Sequence, residues 1–218
     1  MVDTSTRYTA REKLADGCIH AIGIIASIMG AAFLMAIAAG ALPASSILSI
    51  VVYATTLVAV FVISAGYHMI AWPPMKSVLR RLDHAAIYLK IAGTYTPLAL
   101  IKMAGLPGHA LLAGVWAVTL FGATAKLFWP EHLVRTSYVL YLAAGWAGLF
   151  TFEQLMASLS LHVIILLAVG GILYTVGVVF HLWRSLPYHN AVWHGFVLVA
   201  SSCHYAAIMC AIAPELSS

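Results

Sequence analysis

Seven long runs of apolar residues take up most of this 218-residue chain. Each run supplies roughly the 20 residues that a helix needs to cross a bilayer whose hydrocarbon core is about 30 Å thick. The runs lie at about 19–41, 46–71, 83–103, 107–128, 134–154, 161–183 and 192–213. Strands would leave unpaired edges in lipid unless they closed into a barrel, and barrel strands are ~10 residues long and alternate in polarity. The sequence therefore predicts an all-α integral membrane protein, a bundle of seven transmembrane helices.

The same pattern sets the domain organisation. Residues 1–17 are polar and predict a short N-terminal tail without a cleavable signal peptide, and residues 18–214 form the transmembrane domain. Only 8% of the residues are charged, whereas soluble domains are about a quarter charged, which excludes a water-soluble globule. The 11 lysines and arginines are spread along the chain, so we expect membrane lipids and no nucleic acid as partners. Cys18, Cys203 and Cys210 are an odd number of cysteines beside or within apolar runs and predict free, buried thiols.

Basic residues are distributed unevenly between the two ends of the runs. With the N-terminus inside and the C-terminus outside, nine of them lie on the inner side, Lys102 alone lies on the outer side, and Lys90 falls within the third run. The nine are Arg7, Arg11, Lys13, Lys76, Arg80, Arg81, Lys126, Arg135 and Arg184. Lysine and arginine in short loops stay on the cytoplasmic side of a membrane. The sequence therefore predicts a cytoplasmic N-terminus and an outer C-terminus.

Ionisable side chains at the inner ends of the runs predict a site. An ionisable residue inside a span costs roughly 2.5–3.5 kcal/mol on insertion, so it is a functional candidate. His68 ends the second run, Asp83 opens the third and His194 opens the seventh, all at one depth. Ser64 precedes His68 by four residues, as Asn190 precedes His194, and residues four apart share a helix face. Imidazole and carboxylate groups converging in this way are typical of a zinc site, although hydrogen-bonded packing roles suit the same pattern.

Lys90 lies two helical turns from Asp83 within the third run. Two structural roles are open for it on the sequence alone: an ion pair with Asp83, or a hydrogen bond within the bundle. A catalytic role for Lys90 is a third interpretation, and the sequence favours it less than either structural role.

Several motifs in order along the chain resemble the bacterial hemolysin III family. They are Ser64-Ala-Gly-Tyr-His68, Arg81-Leu-Asp83-His84, Ile91-Ala-Gly-Thr-Tyr-Thr-Pro97, Ala191-Val-Trp-His194 and Ser202-Cys-His204-Tyr, with a weaker first motif at 12–20. That family belongs with the adiponectin and progestin receptors and, more distantly, with the alkaline ceramidases. The resemblance covers nearly the whole chain.

The resemblance implies a seven-helix bundle in the bacterial inner membrane with zinc held near its cytoplasmic face. His68 matches one ligand, and Asp83 matches an acid that contacts zinc through a water in relatives. The last motif of relatives reads His-x-x-x-His; here His194 matches its second member, whereas Asn190 stands at the first, with His189 just before it. Either His189 replaces the missing ligand, or Asn190 supplies an oxygen, or the site is lost; His189 or another substitute is favoured.

The resemblance also implies a chemistry. We expect zinc-dependent hydrolysis of a ceramide-like lipid amide, in which Asp83 orients or deprotonates the attacking water and Ser64 hydrogen-bonds the developing oxyanion. A non-catalytic protein that senses membrane lipids and holds zinc for structure is the alternative. Lysis of cells, which the family name suggests, is disfavoured because the chain lacks the soluble, amphipathic character of inserting toxins.

Overall fold

The computed structural model describes residues 9–103, 105–129 and 134–216, and in this part of the chain it contains helices and no strand. The α-helices are α1 (Ala10–Ala39), α2 (Ala44–Met69), α3 (Pro73–Pro97), α4 (Leu106–Phe128), α5 (Val134–Gly145), α6 (Phe152–Ser158), α7 (Leu161–Leu182) and α8 (His189–Ile212). One π-helical turn, Leu98–Lys102, extends α3, and 3-10 turns lie at Ala147–Thr151 and Ala213–Leu216. The prediction of an all-helical chain is confirmed for the described residues.

Six helical segments among the described residues are long and apolar enough to cross a membrane. They are Ala10–Ala39, Ala44–Met69, Leu106–Phe128, Thr136–Ser158, Leu161–Leu182 and His189–Leu216. The third predicted span, at 83–103, is also helical, but it belongs to α3, which carries five charged side chains and is therefore less apolar. The chain is thus an integral membrane protein with six such segments and one further, more polar helix.

Two helices begin earlier than the apolar runs predict. In α1, the Thr9 hydroxyl accepts the Glu12 N–H at 3.2 Å and the Glu12 carboxylate accepts the Thr9 N–H at 2.9 Å, a reciprocal cap that starts the helix at Ala10. Half of the predicted tail is therefore helical. In α3, Pro73 stands at the first position, where its missing N–H costs nothing. The basic residues Lys76, Arg80 and Arg81, which precede the third apolar run, therefore lie in the first turns of α3.

The fifth predicted span is interrupted after Gly145. The helix resumes as a 3-10 turn and then as α6, and the Tyr95 hydroxyl from α3 joins the two sides of the break. It donates to the Gly145 carbonyl at 2.7 Å and accepts the Gly148 N–H at 2.9 Å. Backbone groups freed inside a membrane must find such partners, so the break is supported by a neighbouring helix.

The first and last long helices lie side by side. Helix α1 packs against both α2 and α8, α3 packs between α2 and α4, and α7 packs against α8. Gly177 on α7 allows the last contact, because a Cβ there would lie 2.9 Å from the Phe196 Cβ and 3.0 Å from the Trp193 ring. This packing order brings together the start of α1, the end of α2 and the start of α8. The charge pattern predicts that these three helix ends face the cytoplasm.

The outward-facing surface of the bundle is apolar, with exposed side chains such as Met29, Phe121 and Phe150. The prediction of buried cysteines fails at this surface. Cys18 and Cys210 are exposed and Cys203 is half-buried, and all three thiols are free. In a membrane protein the lipid-facing side is as apolar as the core, so an apolar run does not imply burial inside the protein.

Candidate metal centre

Four ligand-type side chains meet at the junction of α1, α2 and α8. Asp16 and His20 come from α1, His68 from the end of α2, and His194 from the start of α8. One ligand atom from each residue lies within 4.8 Å of one from every other. Asp16 and His20 are four residues apart and therefore share a face of α1. These residues are called the four-residue cluster below.

The Asp16 carboxylate lies among the three imidazoles. Its Oδ1 is 2.6 Å from Nδ1 of His194, and its Oδ2 is 3.6 Å from Nδ1 of His68 and 3.7 Å from Nε2 of His20. The His194 ring centroid lies 4.3 Å from that of His20 and 4.5 Å from that of His68. Asp16 is 0% exposed and His68 is 15% exposed, so the cluster is shielded from solvent.

The donor atoms of the four-residue cluster fit a divalent transition metal. Three imidazole nitrogens and one carboxylate oxygen are ligands that Zn²⁺ accepts in a four-coordinate shell. The Nε2 atom of His20 is buried and makes no hydrogen bond to any residue that the structure describes. Leaving a buried polar atom without a partner costs about 1–3 kcal/mol, and a metal ion would remove that cost.

Ser64 and Asp83 lie beside the cluster and not within it. Ser64 and Asp83 line a cavity of about 40 Å³ together with His20 and His194. Such a volume is enough for a water molecule, which needs roughly 10–15 Å³ measured in this way. The predicted catalytic pair is thus adjacent to two members of the cluster.

The start of α8 holds the other two predicted ligands. His189 and Asn190 line a different, larger cavity, and His189 is not among the residues whose ligand atoms converge. Tyr188, in the left-handed conformation at φ 60°, precedes them, and its N–H donates to the Glu12 carboxylate at 2.9 Å. The structure brings together two of the predicted ligands, His68 and His194. The full ligand set predicted from the sequence stays a prediction.

Asp16 is one of two members of the four-residue cluster, with His20, that the sequence does not predict as metal ligands. Its spacing to His20 is the same four residues that single out Ser64 with His68 and Asn190 with His194. Hydropathy places Asp16 in the predicted tail, outside the first span, and so gives no reason to treat it as a ligand. The helix cap at Thr9 and Glu12 was the signal that would have extended α1 to include it.

A cavity of about 960 Å³ runs past the cluster. His68, a member of the four-residue cluster, and Asp83 line one part of it, and Lys90 and His204 line it further along the bundle. Its lining also includes basic side chains near the start of α3 and the end of α7, namely Lys76, Arg80, Arg81 and Arg184. Ligand pockets are typically about 300–1,000 Å³, so this cavity has the size for a small lipid.

The chain matches one family model and several known proteins over most of its length. The family model described as "Haemolysin-III related" matches residues 8–205. The chain is 36% identical to the "Hemolysin-3 homolog" of Bacillus subtilis (strain 168) over 96% of its length and 100% of that protein, and 35% identical to the "Hemolysin-3" of Bacillus cereus over 100% of both. It is 27% identical to the human "Monocyte to macrophage differentiation factor", covering 92% of this chain and 84% of that protein. No solved structure gives a significant match.

Proposed function

The chain belongs to the haemolysin-III-related family, and we propose that it is a zinc-dependent hydrolase of a ceramide-like lipid amide in the bacterial inner membrane. The observation that carries the proposal is the convergence of Asp16, His20, His68 and His194 beside a cavity of lipid size. Asp83, the predicted catalytic acid, lines both that cavity and the small one next to the cluster. Metal ligands, an acid–base group and room for a substrate therefore lie together.

In the proposed mechanism the four-residue cluster holds the metal, which supplies Lewis acidity towards the amide carbonyl when bound. The Asp83 carboxylate accepts a proton from the attacking water and returns it to the leaving amine. Ser64, which lines the small cavity with Asp83, donates its hydroxyl hydrogen to the oxyanion as it develops. A C–O bond forms, the C–N bond breaks, and the products are a carboxylic acid and an amine.

The proposal includes seven spans, with α3 as the third. Helix α3 packs between α2 and α4, and its polar residues Asp83 and Lys90 are only 8% and 5% exposed. Charges that face the bundle interior lower the mean hydropathy of a helix without exposing it to lipid. With seven spans and the basic residues inside, the N-terminus is cytoplasmic, the C-terminus is outside, and the metal centre lies near the inner face.

A non-catalytic role with a structural metal is the second candidate, and the coordination shell favours it. Structural zinc sites have four protein ligands, whereas catalytic sites keep one position open. Three imidazoles and the Asp16 carboxylate would fill a tetrahedral shell if all four bound at once. In that case the bundle would sense membrane lipids and the metal would hold α1, α2 and α8 together.

Metal analysis and amide turnover by the purified protein test both candidates. Bound zinc near one equivalent, with ceramide hydrolysis that falls in Asp83→Asn, supports the hydrolase. Glu153→Gln is the matched control, because Glu153 is an exposed acid on α6, outside the residues that line either cavity. Zinc without turnover in any of the three proteins selects the structural role. Equal turnover in wild type and Asp83→Asn contradicts the role given to Asp83, and absence of zinc contradicts both candidates.

A further inference from the structure

Lys90 is a buried lysine in the middle of α3 that the proposed reaction does not use. It is 5% exposed and lines the cavity of about 960 Å³. Its Nζ atom donates to the Thr94 hydroxyl at 2.7 Å and lies 5.0 Å from the centroid of the Tyr53 ring. Within residues 9–103, 105–129 and 134–216 no acidic side chain forms an ion pair with it, so the pairing with Asp83 that the sequence left open is not formed.

The hydrogen bonding around Lys90 leaves capacity for a ligand. A lysine ammonium has three N–H donors, and Thr94 accepts only one of them. The Thr94 hydroxyl donates its own hydrogen to the Lys90 carbonyl at 2.8 Å, which fixes its oxygen as an acceptor for the ammonium. Charged groups inside a bilayer usually pair with a charge or face a water-filled space. Lys90 faces a cavity, and an anion in that cavity would supply the missing charge.

The position of Lys90 indicates what kind of anion fits. The other lysines and arginines among the described lining residues lie near the ends of helices; Arg80, for example, precedes Lys90 by ten residues, about 15 Å along α3. Lys90 is therefore the one lysine or arginine of the described lining at this depth, and a phosphate, which carries up to two charges, is better matched by the basic end. Side chains such as Ile91 and Trp146 line the cavity with Lys90, and they suit an alkyl chain.

We infer that Lys90 is an anion-binding point of the large cavity and that its ligand is a single-chain alkyl carboxylate. Thr94 positions the ammonium, and the alkyl chain lies along the apolar wall. Asp83 is seven residues earlier on α3, about 10 Å along the helix, so this point is separate from the four-residue cluster. The inference goes beyond the proposed hydrolysis, because binding of a carboxylate at Lys90 needs no catalysis.

Calorimetric titration of the purified, full-length protein with sodium laurate tests the inference. The titration is run in non-ionic detergent at constant ionic strength, with and without a metal chelator. Dodecanol, which has the same chain length as laurate but no charge, is the matched control ligand. Because a charge-assisted hydrogen bond and its charge are lost, we expect Lys90→Gln to weaken laurate binding on the order of ten- to a hundredfold and to leave dodecanol binding unchanged. Chelation is expected to leave laurate binding intact.

Two further variants complete the design. Lys90→Arg keeps the charge and is expected to retain most of the laurate affinity, which separates charge from loss of packing. Lys102→Gln removes a lysine that pairs with Glu215 at 2.7 Å, away from the cavity lining, and is expected to bind laurate as wild type does. Laurate affinity that is unchanged in Lys90→Gln, or no laurate binding by wild type, overturns the inference. So does a loss of laurate binding on chelation or in His68→Ala with Lys90 intact, because the carboxylate would then sit at the metal. Dodecanol binding by each variant reports whether it is folded.

Discussion

Asp16→Asn should weaken zinc binding more than any other single isosteric change in the protein. The asparagine keeps the size and shape of the aspartate but removes its negative charge. In the structure that charge lies 2.6 Å from one imidazole nitrogen and 3.6–3.7 Å from two others. The Asp16 side chain is also 0% exposed, so water cannot take the place of its carboxylate. Whether Asp16 binds the metal directly or orients His194 towards it, the substitution removes the negative charge at the centre of the cluster.

The size of the effect follows from metal sites in general. Loss of a carboxylate that orients a histidine ligand costs about 10- to 100-fold in metal affinity, and loss of a direct ligand costs at least as much. This is about 1.4–2.7 kcal/mol of binding free energy. Zinc at 100 times its dissociation constant stabilises the folded protein by about 2.7 kcal/mol, whereas after a 100-fold loss the same zinc concentration contributes only about 0.4 kcal/mol.

Two measurements read out this change. Competition with a fluorescent zinc chelator gives the affinity, and thermal unfolding with and without zinc gives the stabilisation. We expect Asp16→Asn to lose affinity and most of the zinc-dependent rise in Tm, and the exposed-acid control Glu153→Gln to keep both. If Asp16→Asn and His20→Ala both bind zinc as wild type does, the four-residue cluster is not the metal centre and the reasoning fails.

Three further outcomes are expected. Zinc content should fall in His68→Ala and persist in His189→Ala, because only His68 belongs to the cluster; zinc lost in His189→Ala would instead favour the ligand set drawn from the sequence. Gly177→Ala should destabilise the bundle by about 1–3 kcal/mol, because its Cβ would collide with α8, whereas Gly114→Ala, with nothing within 4 Å, should not; equal Tm values would contradict the packing described. A periplasmic reporter fused to the C-terminus should be active if α3 crosses the membrane, and an inactive fusion together with an active cytoplasmic reporter at that position would mean an even number of spans.

The long apolar helices could be predicted closely from the sequence. The run at 161–183 corresponds to Leu161–Leu182 and the run at 107–128 to Leu106–Phe128, because bilayer thickness sets both the length and the apolar character of a spanning helix. Hydropathy could not locate the polar turns at the starts of α1 and α3, which are helical but carry charged residues. The break after Gly145 depends on the Tyr95 hydroxyl, 50 residues away, and no local pattern indicates such a contact.

The candidate site was predictable in part. His68 and His194 stand at one depth because the end of α2 and the start of α8 lie on the same side of the bundle, and depth can be read from the boundaries of the apolar runs. Asp16 could be assigned only by knowing that α1 begins early and lies next to α8. That contact joins residues 178 positions apart, and one sequence does not reveal which helices are neighbours. The family resemblance was predicted from the motifs and is confirmed by the comparisons.

The contact between α1 and α8 also has a consequence for how the protein is made. A membrane protein is synthesised and inserted from its N-terminus, so Asp16 and His20 enter the bilayer long before His194 leaves the ribosome. The four-residue cluster can therefore be completed only after the last helix has been inserted and has closed against the first. A chain cut short before α8 holds three of the four side chains and lacks the partner that lies 2.6 Å from the Asp16 carboxylate. Metal uptake would thus distinguish finished chains from unfinished ones in the same membrane.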